Sequence, residues 1–141
     1  MKTNYKLLSI FIIVPLLLGT IVGLITVPGS QVDSLLSPWI FPVVWTILYI
    51  LMGVSSYIIY KKTNTITKIY IIQLLINLFW SFVFFVFKQQ IASFILILIL
   101  IILVTIMIKD FLKESKLAGY LQIPYLIWLC IASILNLLLI V

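Results

Sequence analysis

The chain contains no histidine and no arginine among its 141 residues, and it has only three acids and one cysteine. Each absence removes a class of chemistry. Without histidine, and with Cys130 as the lone thiol, there is no metal site of ordinary composition, no histidine haem ligand and no Ser-His-Asp or Cys-His nucleophile. One cysteine closes no disulfide within a chain, and Cys130 reads as a small apolar packing residue. Charged residues make up 9% of the chain and apolar residues 65%, a balance that a water-soluble domain does not have.

What is there is organised by where the charge falls. Lys2, Lys6, Asp33, Lys61, Lys62, Lys68, Lys88, Lys109, Asp110, Lys113, Glu114 and Lys116 occupy short gaps between five uncharged stretches. These are Leu7 to Val27, Pro42 to Tyr60, Ile69 to Phe87, Ile91 to Ile108 and Leu117 to Val141. Each approaches the roughly 20 residues with which a helix crosses about 30 Å of hydrocarbon. The fold class is therefore all-α: a single five-helix transmembrane domain over 1–141. A β-barrel would alternate apolar and polar residues, whereas Ile95 to Met107 is apolar on every side except at Thr105. A signal peptide is the alternative for the first stretch, but the run exceeds an h-region of about 7–15 residues and no clear cleavage site follows.

With five spans, eight of the nine lysines share one side with the N-terminus, and Lys88 lies opposite. The positive-inside rule then puts the N-terminus in the cytoplasm and the C-terminus outside. The net charge of +6 is accordingly a topology signal and does not point to nucleic acid. The lack of Arg and His, with abundant Ile, Lys and Asn, suits an AT-rich bacterial genome, hence a multi-pass protein of a bacterial cytoplasmic membrane.

Short connections make the last four spans antiparallel neighbours in one bundle. The exception is the segment over 28–41, with two prolines, a glycine, three serines and Trp39, which is either a lid over one mouth of the bundle or an ordinary interfacial loop. Trp45, Tyr49, Met52 and Ser56 share one face of the second span. Gln73, Asn77, Trp80, Ser81 and Phe84 do so on the third, and Tyr125, Trp128, Ala132, Leu135 and Asn136 on the fifth. Large amphipathic side chains have no use in mid-hydrocarbon, so the three stripes are expected to face one another. They either line a cavity or simply pack and hydrogen-bond. The aliphatic fourth span suits a lipid-facing wall. Gly19 and Gly23 form a G-x-x-x-G step on the first span, and Pro15 and Pro124 are expected to kink or loosen their helices.

No uncharged stretch contains Asp, Glu, Lys, Arg or His, which argues against a proton-coupled pump or ion channel. Hydrolytic catalysis has no carboxylate pair or nucleophile to use. An uncharged cavity lined by aromatic rings suits a flat hydrophobic ligand.

Three segments carry a resemblance: SPWIFPVVWTILYILMG (Ser37 to Gly53), NLFWSFVFF (Asn77 to Phe85) and AGYLQIPYLIWLCIASILN (Ala118 to Asn136). In order, spacing and span they are similar to the signature regions of the TspO/MBR family, the tryptophan-rich sensory and translocator proteins. The resemblance implies a five-helix fold that binds protoporphyrin IX and isoquinoline- or benzodiazepine-type ligands beneath the first loop, with no permanently bound cofactor. It implies Trp45 and Trp128 as the tryptophans of a light-dependent oxidative porphyrin breakdown. It also implies Trp39, Tyr49, Met52, Asn77, Trp80, Phe84, Tyr125, Ala132 and Leu135 as ligand-binding positions. A homodimer is common in such proteins, although the third span has no G-x-x-x-G seam. The first loop departs from the family pattern: it is shorter by several residues and lacks the early Trp-Tyr and the Pro-Pro. The animal cholesterol segment after Leu-Asn is absent as well, and animal members orient the C-terminus opposite to the lysine-based reading. Three functions follow as expectations: porphyrin sensing, handling or photo-oxidation; passive porphyrin transport; or a non-catalytic structural or regulatory membrane subunit.

Overall fold

The structure is a computed structural model that describes residues 3–26 and 40–140. The helices are α1 (Tyr5–Thr26), α2 (Ile40–Thr63), α3 (Lys68–Ser81, continued by a π-helical turn over Phe82–Val86), α4 (Gln90–Glu114), α5 (Lys116–Leu121) and α6 (Ile123–Ile140). Among the described residues, five stretches are long and apolar enough to cross a membrane: Tyr5–Thr26, Pro42–Thr63, Lys68–Val86, Gln90–Glu114 and Lys116–Leu138. All five expected spans are present, and no strand is found among the described residues. Of the expected lid over 28–41, only Ile40 and Phe41 belong to a described element, the start of α2; the rest lies outside the described residues.

Hydroxyls within the spans are mostly satisfied locally, as a bilayer requires. Thr20 donates to the Leu16 carbonyl at 2.7 Å, Thr46 to Pro42 at 2.6 Å and Thr105 to Ile101 at 2.7 Å. Two connections use left-handed backbone. Asn64, at φ 59°, ends α2 while its N–H donates to the Tyr60 carbonyl at 2.7 Å, a conformation asparagine tolerates well. Lys88, at φ 52°, turns the chain from the π segment into α4, where Gln89 N–H reaches the Val83 carbonyl at 3.1 Å.

The loosening expected at Pro124 is present, and the lipid-facing role expected of the fourth span is corrected. The last span is two helices, parted at Gln122. Pro124 offers no N–H, so the ladder is interrupted there; Gln122 N–H instead closes a tighter turn on the Gly119 carbonyl at 3.1 Å. Ser115 caps α5 by accepting from Ala118 N–H at 3.3 Å. Pro15, by contrast, sits in an uninterrupted α1. The correction concerns the fourth span, which is a lipid-facing wall on one side only. α4 buries Ser93, Ile97, Leu100, Val104, Met107, Ile108 and Phe111 along one stripe at helical spacing and shows the opposite stripe, with Ile91, Ile95 and Ile102, to the surroundings. In α1 only Pro15 and Thr26 are buried. Aliphatic residues all round do not reveal which side of a helix is covered, because Ile and Leu serve lipid and protein contact equally.

α1 packs along α2 through glycine. A Cβ at Gly53 would meet the backbone carbonyl of Phe11, and one at Gly19 would meet the Tyr49 ring, whereas Gly23 has nothing within 4 Å. One glycine of the G-x-x-x-G step is thus a contact and the other is not. Polar ties hold the other helices. Ser55 donates to the Ala118 carbonyl at 2.7 Å, joining α2 to α5. Ser93 donates to Asn136 Oδ1 at 3.0 Å, and Asn136 Nδ2 donates to the Gln90 carbonyl at 3.0 Å, joining α4 to α6.

Candidate ligand site

The three stripes of α2, α3 and α6 meet. Tyr49 of α2 donates its hydroxyl hydrogen to Asn77 Oδ1 at 2.7 Å, and Asn77 Nδ2 donates to the Tyr125 hydroxyl of α6 at 2.8 Å. One buried asparagine therefore pins three helices. Asn77 is 1% exposed and Tyr125 also 1%, so both bonds are shielded from competition by water and lipid headgroups.

Around this chain of bonds the rings gather on Trp45. Its centroid lies 5.6 Å from the Tyr49 ring in a stacked arrangement, 6.5 Å from Trp80, 6.3 Å from Tyr125 and 6.4 Å from Trp128, the last two edge-on. These separations fall within the range in which aromatic rings attract one another. Trp45 is half-buried, whereas Tyr49, Trp80, Tyr125 and Trp128 are buried. Trp45 is thus the ring of the group with a side still open.

The π turn extends the group. Phe84 stacks on Trp80 at 4.8 Å, and Phe85 meets both Trp80 at 5.9 Å and Phe84 at 4.8 Å edge-on. Val83, Phe84 and Phe85 are all buried. Three consecutive buried residues do not fit the one-sided stripe of a regular α-helix; the wider turn brings both phenylalanines against Trp80. The cluster runs from the middle of the spans toward the end where α2 begins and α3 finishes, away from the ends of α2 and α4 that carry Lys61, Lys62, Lys109 and Lys113.

The expected positions divide as follows. Trp45, Tyr49, Asn77, Trp80, Phe84, Tyr125 and Trp128 are brought together by ring contacts and hydrogen bonds. Met52 and Ala132 are buried in the same core, and Leu135 packs half-buried against it. Trp39 lies outside the described residues. Asn136, although on the α6 stripe, serves the α4 contact and not the cluster. Phe85 was not legible as a member, because only the π turn brings it inward.

Chemically the site offers rings and neutral hydrogen-bonding groups. The Trp80 indole N–H is buried and meets no acceptor among the described residues, so it is a donor held ready inside an apolar surround. Among the described residues no charged side chain belongs to the buried core, and no group of three His, Cys, Asp or Glu is placed to hold a metal ion. Such an arrangement recognises flat apolar molecules by stacking, with neutral donors to fix their orientation.

The fold and site together define a class: a five-span helical membrane protein with an uncharged aromatic site toward one end of its bundle. Residues 11–141 match the TspO/MBR family. The chain is 38% identical over 104 residues to the tryptophan-rich protein TspO of Chlorobaculum tepidum, covering 70% of this chain and 66% of that one. It is 30% identical over 122 residues to the tryptophan-rich sensory protein of Cereibacter sphaeroides, covering 81% and 77%. It is also 30% identical over 122 residues to the human translocator protein, covering 81% and 72%. The match therefore spans just under two thirds of the Chlorobaculum protein's length. The chain belongs to the TspO/MBR family.

Proposed function

We propose that the aromatic cluster binds a flat tetrapyrrole, with protoporphyrin IX as the leading ligand and isoquinoline- or benzodiazepine-type molecules as alternatives for the same surface. The observation that carries this reading is the convergence of Trp45, Trp80 and Trp128 with Tyr49 and Tyr125 in a place without charge. A macrocycle is recognised there by displacing Trp45 from its neighbours and taking over its ring contacts. Trp80 N–H then finds an acceptor on the ligand.

Trp45 and Trp128 are the residues proposed to take part in light-dependent breakdown. A photo-excited porphyrin accepts an electron from a stacked indole and the reduced ring passes it to dissolved dioxygen, the oxidant that opens the macrocycle, which needs no side-chain acid or base and no metal. The remaining expected lining consists of Met52, Asn77, Phe84, Ala132, Leu135 and Trp39. The protein is proposed to lie in a bacterial cytoplasmic membrane, N-terminus inside, as a monomer or homodimer.

Titrating the detergent-solubilised protein with protoporphyrin IX should quench tryptophan emission saturably. Under illumination the porphyrin should disappear, and Trp45→Phe or Trp128→Phe should stop that loss. Undiminished loss in both variants removes the catalytic part, and absence of saturable quenching removes the ligand.

A further inference from the structure

Two glutamines lie one helical turn from the Tyr49–Asn77–Tyr125 chain, toward the lysine-rich end, and neither takes part in the ring cluster. Gln73 precedes Asn77 by four residues on α3, and Gln122 precedes Tyr125 by three at the α5/α6 break. α3 and α6 run in the same direction, since one antiparallel span, α4, separates them in the chain. Because Asn77 and Tyr125 are bonded, stepping back roughly 6 Å along α3 and 4.5 Å along α6 brings both glutamines to nearly the same depth.

Both side chains are 0% exposed. Gln73 Nε2 donates to the Tyr70 carbonyl at 3.0 Å, but among the described residues its Oε1 has no partner, and neither Nε2 nor Oε1 of Gln122 has one. An unmatched amide inside a membrane span is unfavourable, and methionine or leucine would fill the same space without that penalty. One two-hydrogen donor and two acceptors at one level are instead the partner set of a small neutral molecule that both donates and accepts, forming two to four hydrogen bonds.

We propose that Gln122 and Gln73 form an internal water-binding site within the membrane span, beneath the aromatic cluster and separate from it. At the break the Gln122 backbone is fully used, its N–H by the Gly119 carbonyl and its carbonyl by the Leu126 N–H, so the side-chain amide alone is left for a guest. The site belongs to the ligand-free protein and does not depend on what the cluster binds.

The test is nuclear magnetic resonance of the full chain, labelled at glutamine side-chain nitrogen, in lipid nanodiscs without ligand. The Gln122 and Gln73 amide hydrogens should show cross-relaxation to water of the sign that marks a long-lived contact. Gln122→Met should weaken it at Gln73 and lower the melting temperature by roughly 4 °C, since it leaves Gln73 Oε1 without its share of the water. Absence of water contacts at both wild-type glutamines would overturn the proposal. So would a melting temperature raised by Gln122→Met, the result expected if the amide is merely unmatched. Adding protoporphyrin IX to saturation should leave the water contacts in place; their loss would assign these atoms to the ligand and sink the separate site.

Discussion

Replacing Asn77 by leucine tests the joint on which the site rests. The substitution puts an apolar side chain of similar size in place of the amide at a position 1% exposed and deletes the bonds to the Tyr49 and Tyr125 hydroxyls. Interhelical bonds in membranes average about 0.6 kcal/mol, which sets a floor near 1.2 kcal/mol for two. The two tyrosine hydroxyls are left buried, and each unmatched group adds up to about 1–3 kcal/mol. A loss of about 2–4 kcal/mol is therefore expected, measured by reversible unfolding in mixed detergent with tryptophan emission as the signal. The double-mutant cycle sharpens the test. Tyr49→Phe should be costly in the wild type but nearly neutral beside Asn77→Leu, giving a coupling energy of about 0.5–1.5 kcal/mol. If Asn77→Leu changes stability by less than about 0.5 kcal/mol, or if the two substitutions simply add, the three-helix joint does not hold the bundle as described.

Three further outcomes are expected. Gly19→Ala should destabilise by about 1–3 kcal/mol, because its Cβ meets a Tyr49 ring already tethered to Asn77, while Gly23→Ala should be neutral or gain up to about 1 kcal/mol; equal effects at the two positions in thermal melts would contradict the α1–α2 packing. Asn136→Leu should cost about 1–2 kcal/mol by releasing α6 from Ser93 and the Gln90 carbonyl, yet leave porphyrin quenching unchanged; altered affinity in a fluorescence titration would place Asn136 in the site. With Cys130→Ser as background, Lys88→Cys should react with an impermeant thiol reagent on intact cells and Lys113→Cys should not; the reverse pattern would invert the orientation.

Much of this was legible because the bilayer simplifies the reading. A span must be apolar over its whole length, so the positions of the lysines alone set the number of helices and nearly set their ends. Polar and aromatic residues within a span need a reason, and on α2, α3 and α6 their spacing by three and four showed which faces would meet. The same logic failed where the sequence is uniform. α4 is aliphatic over most of its length, so its buried side carries no clear mark, and the Ser93–Asn136 bond to α6 shows only once the helices are placed. Local backbone departures were the other blind spot. Pro124 announced a weak point, although not that the break would fall two residues earlier and bury Gln122. The π turn over Phe82–Val86 has no signal in FVFFV beyond a run of apolar residues.

The gathering of rings on Trp45 has an optical consequence. Indoles whose centres lie 6.4 and 6.5 Å from Trp45 are close enough to exchange excitation far faster than they emit, so Trp45, Trp80 and Trp128 behave as one antenna. A single acceptor seated against any of the three drains all of them, and emission from the trio should fall as a unit at one guest per bundle.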